Sequence, residues 1–205
     1  MPPSTTETPS TTDTRPATGV ARLPAVGWVL AVCGVVGLAA AFVLLVEKIR
    51  LVADPAYVPS CSISPLLSCG SVMNTEQAEV FGFPNPILGV AGFAVLTTVA
   101  LTVLTRVRLP SWYWVGLTVG TGLGTVFVHW LIFQSLYRIG ALCPYCMVVW
   151  VVTVAAFVAV LAWWSRAGTL PRWVGNYAGT IVVAWALVVA TLIAIRFWDY
   201  WITLL

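Results

Sequence analysis

The chain has 205 residues, of which 60% are apolar and 8% are charged, and its formal net charge is +3. Soluble domains average about 45–50% apolar and about 25% charged residues. The composition therefore excludes a water-soluble globule, a disordered chain and a coiled coil. Ten basic residues are scattered along the chain, which excludes a basic patch for nucleic acid. Eleven Trp and six Tyr suit a protein with two membrane interfaces to anchor.

The N-terminal segment, residues 1–22, differs from the rest of the chain. Thirteen of its first eighteen residues are Ser, Thr or Pro, and such a segment cannot bury enough apolar area to offset the entropy of ordering. It lacks a basic start and carries Glu7 and Asp13, so it is not expected to be a signal peptide. We predict a disordered cytoplasmic tail.

Five apolar runs follow, each long enough to cross a hydrocarbon core of about 30 Å. They are continuous rather than alternating, which predicts helices and not barrel strands. The sequence thus predicts an all-α integral membrane protein. Its five transmembrane helices are expected at Pro24–Val46, Pro86–Thr105, Trp112–Tyr137, Cys143–Trp164 and Tyr177–Trp198. The connection at residues 47–85 is by far the longest, and residues 166–205 hold the fifth helix and the C-terminus.

The basic residues set the predicted orientation. With a cytoplasmic N-terminus, six basic residues fall inside and four outside, as the positive-inside rule favours. Cys61 and Cys69 then lie in the long outer loop, and Cys143 and Cys146 lie at the outer end of the fourth span. Four of five cysteines thus gather on the oxidising side, where disulfides persist. Cys33, deep in the first span, is interpreted as a packing residue.

Cys143-Pro144-Tyr145-Cys146 is a C-x-x-C motif that opens a helix. The positive end of the helix dipole stabilises a thiolate, and a proline is tolerated in the first turn. The motif could instead form half of a metal site or simply pack. A zinc site would need two further ligands nearby, and we predict none. A redox role is the favoured interpretation.

The outer loop carries a second cysteine pair, Cys61 and Cys69. Pro59, Pro65 and Gly70 predict an irregular, mobile loop. The pair alone supports a structural disulfide and a redox dithiol equally. Beside a C-x-x-C motif on the same face, thiol–disulfide exchange between the pairs is favoured. A capping-box pattern at Asn74 and Gln77 further predicts a short helix over residues 75–81 that lies on the membrane.

Polar residues in the spans are few. His129 and Gln134 occur toward the outer end of the third span, where His129 could line a ligand site or transfer a proton. A hydrogen bond from His129 to a neighbouring helix is the favoured alternative. Glu47, Lys48 and Arg50 are expected to mark the interface. Small residues recur every four positions in the third span, which predicts close helix packing there; these are Gly116, Gly120 and Gly124.

These residues resemble the vitamin K epoxide reductase family, specifically its bacterial disulfide-forming members. The matching features are the C-x7-C pair in the outer loop, Ser71, the stretch Gly82–Gly89, and a C-x-x-C motif that opens the fourth span. The resemblance covers about residues 26–164 and predicts a catalytic core at residues 23–165.

The resemblance implies a four-helix bundle around a quinone, menaquinone or ubiquinone, with one extra helix beside it. It implies that Cys61 exchanges with a DsbA-like, thioredoxin-fold partner and that Cys69 relays to Cys143. Cys146 would then lie next to the quinone. Asn85 would donate a hydrogen bond to a quinone carbonyl. Trp150 stands where vertebrate members have a tyrosine, so a hydrogen bond from that position would use the indole N–H.

The expected function is that of a membrane thiol oxidase that recharges a separate partner, because the chain ends at Leu205 without a thioredoxin-like domain. Reduction of vitamin K epoxide or of quinone as the main activity, and redox sensing, are the alternatives. A transporter is disfavoured because paired inverted repeats and intramembrane charges are lacking. With no glycosylation acceptor or retention signal in the sequence, the bacterial cytoplasmic membrane is the expected location.

Overall fold

A computed structural model describes residues 23–54, 56–64, 66–107 and 109–202; the predicted tail, residues 1–22, lies outside the described residues. The described chain is helical apart from its connections. The α-helices are α1 (Leu23–Ala53), α2 (Cys69–Met73), α3 (Pro86–Leu104), α4 (Ser111–Gln134), α5 (Pro144–Arg166), α6 (Arg172–Asn176), α7 (Ala178–Arg196) and α8 (Trp198–Ile202). A 3-10 turn at Glu76–Glu79 and a π-helical turn at Ser135–Ile139 complete the set.

Within the described residues, five helices are long and apolar enough to span a membrane, which confirms the predicted all-α membrane fold. They are α1, α3, α4 with its π-helical turn, α5 and α7. The first runs over Ala25–Ala53 and so extends beyond the predicted end at Val46. It continues because Glu47 and Lys48, which interrupt the apolar run, are buried with partners of their own.

Helix α5 lies at the centre of the bundle. It packs against α1, α4 and α7, and α1 also packs against α3. The largest apolar cluster joins α1, α3, α4 and α5 and includes Cys33, which is 6% exposed and therefore packs as predicted. Trp114 and Trp163 stack there with ring centroids 3.9 Å apart. Two smaller clusters lie at the other end of the bundle, which we call the cysteine end because it holds Cys61, Cys69, Cys143 and Cys146.

The helical part of the long loop begins earlier than the sequence predicts. Helix α2 starts at Cys69, and the side chain of Ser68 caps it by accepting a hydrogen bond from the Ser71 N–H at 3.2 Å. Asn74 ends α2 instead of starting a helix. The predicted helix over residues 75–81 is a 3-10 turn without a side-chain cap. The predicted capping box does not form because Asn74 is the C-cap of α2, whose N-cap is Ser68.

The short turn before the C-x-x-C motif is built by a change of helix type. Helix α4 continues as a π-helical turn through Ile139, and Gly140 then adopts a left-handed conformation with φ of 71°. Glycine adopts this conformation without steric cost and commonly ends helices in this way. Only three residues then separate Gly140 from α5, which explains how two spans meet with so short a connection.

The repeated glycines of α4 do not bring helices together as predicted. A β-carbon placed on Gly116 or Gly120 would meet no atom within 4 Å, and one on Gly124 would meet only Thr153, at an ordinary 3.4 Å. All three glycines instead line an internal cavity. The spacing correctly indicated a face of small residues but not whether a helix or an open space lies opposite.

Candidate redox site

Three sulfur atoms meet at the cysteine end. Cys61 and Cys69 form a disulfide, and Cys143 Sγ lies 3.1 Å from Cys69 Sγ. All three Sγ atoms lie within 4.8 Å of one another and are buried. Such a group could hold a metal ion, but the disulfide engages two of the sulfurs, and the short third contact is the approach that thiol–disulfide exchange requires. The structure thus brings together the three sulfurs that the sequence placed in two distant motifs.

A short parallel β-bridge sets this approach. Leu67 pairs with Leu142, through hydrogen bonds from the Ser68 N–H to the Leu142 carbonyl (3.0 Å) and from the Leu142 N–H to the Leu66 carbonyl (2.8 Å). The residues that follow the bridge on each segment lead directly into α2 and α5. These backbone hydrogen bonds fix the register of the two segments and so place Cys69 beside Cys143.

The position of Cys143 favours its thiolate. Cys143 is the N-cap of α5, and its Sγ accepts a hydrogen bond from the Cys146 N–H at 3.4 Å. A hydrogen bond from the Cys146 thiol and those from the backbone N–H groups of Cys146 and Tyr145 lower the pKa of Cys143 below its ordinary value, although burial opposes them. A thiol with a lowered pKa is the better leaving group in disulfide exchange, so Cys143 is suited to be released from a mixed disulfide with Cys69.

Two charged residues of α1 anchor the loop that carries the disulfide. The Glu47 carboxylate accepts hydrogen bonds from Tyr57 Oη at 2.8 Å and Ser60 Oγ at 2.7 Å. Lys48 Nζ donates to the Met73 carbonyl at 2.8 Å and pairs with Glu79 at 2.9 Å. Glu47 and Lys48 are only 5% and 7% exposed. They are therefore structural parts of the site and not the interface markers that the sequence predicted.

The Glu47 contacts hold the segment just before Cys61, which is itself only 5% exposed. An external thiol can reach the disulfide only when this segment opens. The two hydrogen bonds to the Glu47 carboxylate are of the charge-assisted kind, which contribute about 1.5–3 kcal/mol each. Glu47→Gln removes the negative charge and replaces one of the two acceptor oxygens with an NH2 group. A loss of about 1 kcal/mol would increase the open population about fivefold.

We therefore expect Glu47→Gln to accelerate reduction of the Cys61–Cys69 disulfide by a small dithiol about fivefold. The rate is followed by quenched alkylation of the freed thiols. Glu76→Gln makes the same change at an exposed position of the same loop and should leave the rate unaltered. Equal rates in the Glu47 variant and the wild type would show that the segment does not limit access.

Cys146 faces a half-open cavity of about 720 Å³ between the helices. Residues of α1, α3, α4, α5 and the loop line it, and its walls are largely apolar. At the cysteine end its polar lining includes Lys48, Asn85, Gln134 and Ser135. At the other end the cavity reaches Trp112 and Tyr113. A cavity of this size and character is typical of sites for mostly apolar ligands with a few polar groups.

Asn85 and Trp150, both predicted from the resemblance, line this cavity. Asn85 Nδ2 donates to the Gln77 carbonyl at 2.7 Å, and Oδ1 accepts from the Val80 N–H at 3.3 Å. An amide carries two N–H donors, so one more hydrogen bond is available. Trp150 is 2% exposed, and among the described residues its Nε1–H has no hydrogen-bond partner. A buried donor without a partner is costly and rare, and an acceptor in the cavity would satisfy it.

His129 is not brought into this group. It is absent from the described lining of the cavity. Its Nε2 accepts a hydrogen bond from Trp185 Nε1 at 2.9 Å, which leaves Nδ1 protonated to donate to the Thr125 carbonyl at 2.8 Å. Both ring nitrogens are thus engaged, and the bond at Nε2 is the hydrogen bond to a neighbouring helix that the sequence analysis favoured.

Sequence reasoning missed Glu47 and Lys48 as parts of the site. A signal was present, because apolar residues continue after them through Ile49, Leu51 and Val52. A helix that keeps its apolar character beyond a charged pair predicts that the pair has partners inside the protein. The identity of those partners, such as Met73, could not be read from the sequence.

Comparison with known proteins gives a family but no single relative. No individual curated protein matches the chain at a significant level. The model of the vitamin K epoxide reductase family matches residues 28–161, a segment that contains the four cysteines of the cysteine end and the residues that line the cavity. On this match and the geometry of the four cysteines, the chain belongs to the vitamin K epoxide reductase family.

Proposed function

We propose that the protein is a membrane thiol oxidase that passes electrons from a DsbA-like, thioredoxin-fold partner through its two cysteine pairs to a membrane quinone. Disulfide formation in exported proteins would be its biological role. The observation that carries the proposal is the chain of contacts from the Cys61–Cys69 disulfide, through Cys143, to Cys146 at the cavity. Membership of the family supports thiol–disulfide oxidoreduction.

The relay begins at the loop pair. A thiolate of the partner attacks Cys61, which releases Cys69 as a thiolate, and the second thiol of the partner then displaces Cys61. The partner leaves oxidised, and Cys61 and Cys69 become a dithiol. Two electrons and two protons have entered the protein in this exchange.

The second exchange is intramolecular. The Cys69 thiolate attacks Cys143 of a Cys143–Cys146 disulfide, and Cys146 leaves as a thiolate. Cys61 then attacks Cys69, which restores the loop disulfide and releases Cys143. The structure has the arrangement that ends this transfer, with Cys61 and Cys69 joined and Cys143 and Cys146 free. Closing Cys143 to Cys146 then releases two electrons and two protons.

The residues around the cavity fit a quinone. The free donor of Trp150 and the remaining N–H of Asn85 suit carbonyl acceptors, and the apolar walls suit an apolar ring and tail. A quinone, when bound, accepts the two electrons and two protons that the closing disulfide releases. Cys143 is only 1% exposed, so a protein-sized thiol does not reach it directly and must pass its electrons through the loop pair.

The proposed orientation places the cysteine end outside the bacterial cytoplasmic membrane, with the N-terminus in the cytoplasm. The distribution of basic residues supports it. Cysteine pairs that cycle through disulfides also belong in an oxidising compartment. The partner would approach from that side, above Cys61.

The proposal is tested by mixing the purified protein with a reduced DsbA-like protein and a ubiquinone or menaquinone analogue. We expect reduction of the quinone, followed by absorbance, in step with oxidation of the partner. Cys33→Ala should retain full activity, because Cys33 lies in the apolar core away from the other cysteines. Intact protein that reduces neither analogue would exclude the oxidase and favour a redox sensor.

Trp150→Phe tests the fit of the acceptor. The change removes the unpartnered N–H and retains most of the ring. A neutral hydrogen bond contributes about 0.5–1.5 kcal/mol, so we expect the KM for the quinone analogue to rise about twofold to tenfold. The rate of exchange between the cysteine pairs should remain unchanged. Trp114→Phe, a buried tryptophan outside the cavity lining, is the matched control. An unaltered KM in the Trp150 variant would contradict the assigned donor.

A further inference from the structure

Helix α7 is buried only where it meets the redox site. Ile193 is the buried residue of its described length, and it joins Phe197 in a cluster with Trp150, Leu142 and Leu136. Trp185 and Val189 pack partly against the same cluster. The opposite side of α7 is exposed, as for Leu187 and Ile195, which are 62% and 67% exposed. An apolar helix that only needed to span the membrane would have no reason to concentrate its contacts at this point.

Two hydrogen bonds attach α7 to α4 and its π-helical turn. Arg196 Nε donates to the Leu136 carbonyl at 3.1 Å, and Trp185 Nε1 donates to His129 Nε2 at 2.9 Å. The Leu136 carbonyl lies inside the π-helical turn, where the regular helical ladder is interrupted and carbonyls need other donors. Arg196 therefore supplies a hydrogen-bond donor to the Leu136 carbonyl of the π-helical turn.

The segments held in this way form one wall of the cavity. Ser135 and Ile139, on either side of Leu136, line it. Trp150 lines both this cavity and a smaller one of about 100 Å³, which lies between α5 and α7 and is also lined by Ile193. The indole of Trp150 thus stands between the cavity and α7. If Ile193 were truncated, the indole could move into the smaller space and away from the cavity.

We propose that α7, which lies outside the residues matched by the family, is a positioning element of the acceptor site that acts through Ile193 on Trp150 and through Arg196 on the π-helical turn. This inference rests on the proposed quinone acceptor. It concerns binding of the acceptor and not thiol exchange, because backbone hydrogen bonds to Leu66 and Ser68 hold Leu142, and with it Cys143, independently of α7.

The test compares Ile193→Ala and Arg196→Met with the wild type in the full-length protein. We expect the KM for a short-chain quinone analogue to rise about tenfold in each, with kcat changed less than about twofold. As a readout apart from turnover, the quinone retained per mole of protein after purification from membranes should fall in both variants. Arg196→Lys, which restores a donor, should recover most of the lost binding.

Ile195→Ala makes the same truncation on the exposed face of α7 and should behave as the wild type. If Ile193→Ala fails to fold, the same KM and quinone content are measured for Ile193→Val and for Arg196→Met beside Arg196→Lys. A KM and a quinone content equal to those of the wild type in Ile193→Ala and Arg196→Met would overturn the inference while the proposed function stood. Absence of turnover in the wild type would instead remove the proposed function itself.

Discussion

Cys143→Ser is expected to abolish quinone-coupled thiol oxidation, with a loss of at least about 10³-fold. Cys143 is the sulfur that contacts both pairs: its Sγ lies 3.1 Å from Cys69 and accepts a hydrogen bond from the Cys146 N–H. Without Cys143, the Cys69 thiolate has no disulfide sulfur to attack, and Cys146 has no partner with which to form a disulfide. The rate is measured as quinone reduction with a reduced thioredoxin-fold donor.

The variant should lose activity without losing its fold. Cys143 is the N-cap of α5, and serine is among the residues most favoured at that position. The melting temperature should therefore equal or exceed that of the wild type, and the Cys61–Cys69 disulfide should still form. Retention of a tenth or more of the wild-type rate would contradict the relay through Cys143.

Cys61→Ser combined with Cys146→Ser is expected to trap a disulfide between Cys69 and Cys143. The double variant leaves these two sulfurs in contact and removes the resolving thiol of each pair. The β-bridge between Leu67 and Leu142 keeps them in register. After treatment with a thiol oxidant, which takes up the two electrons, nearly every molecule should contain the new bond. Mass spectrometry of unreduced peptides identifies it.

A matched variant shows whether proximity decides the outcome. Cys61→Ser with Cys143→Ser leaves Cys69 and Cys146, which belong to one apolar cluster but lack the direct sulfur contact described for Cys69 and Cys143. Far less disulfide should form between them. If Cys69 and Cys143 are both alkylated after oxidation of the first double variant, they do not meet as the relay requires.

The sequence predicted the features that depend on local composition. Continuous apolar runs revealed five spans, and the C-x-x-C motif predicted a thiolate stabilised at the start of a helix, where the structure has Cys143 as the N-cap. The family resemblance added the assignment of Cys69 to Cys143. The contact between these sulfurs is consistent with that assignment, because the two segments run side by side.

The features that escaped prediction depend on partners far along the chain. Lys48 is buried because it reaches the carbonyl of Met73, 25 residues away. Gly120 faces a cavity because no helix covers it, which its spacing could not reveal. His129 binds Trp185, 56 residues away on α7. In each case the tertiary structure, and not the local residue pattern, determined the environment of the side chain.

The central claim is that electrons enter at Cys61 and leave at Cys146, and Cys61→Ala tests it most directly. Quinone reduction is followed by absorbance with two donors, a reduced DsbA-like protein and a small dithiol. The account predicts that the variant loses turnover with the protein donor and retains it with the small dithiol, which can reduce the Cys143–Cys146 disulfide directly. Equal turnover with both donors would contradict entry at Cys61, and loss with both would contradict the separation of the two pairs into an entry and an exit.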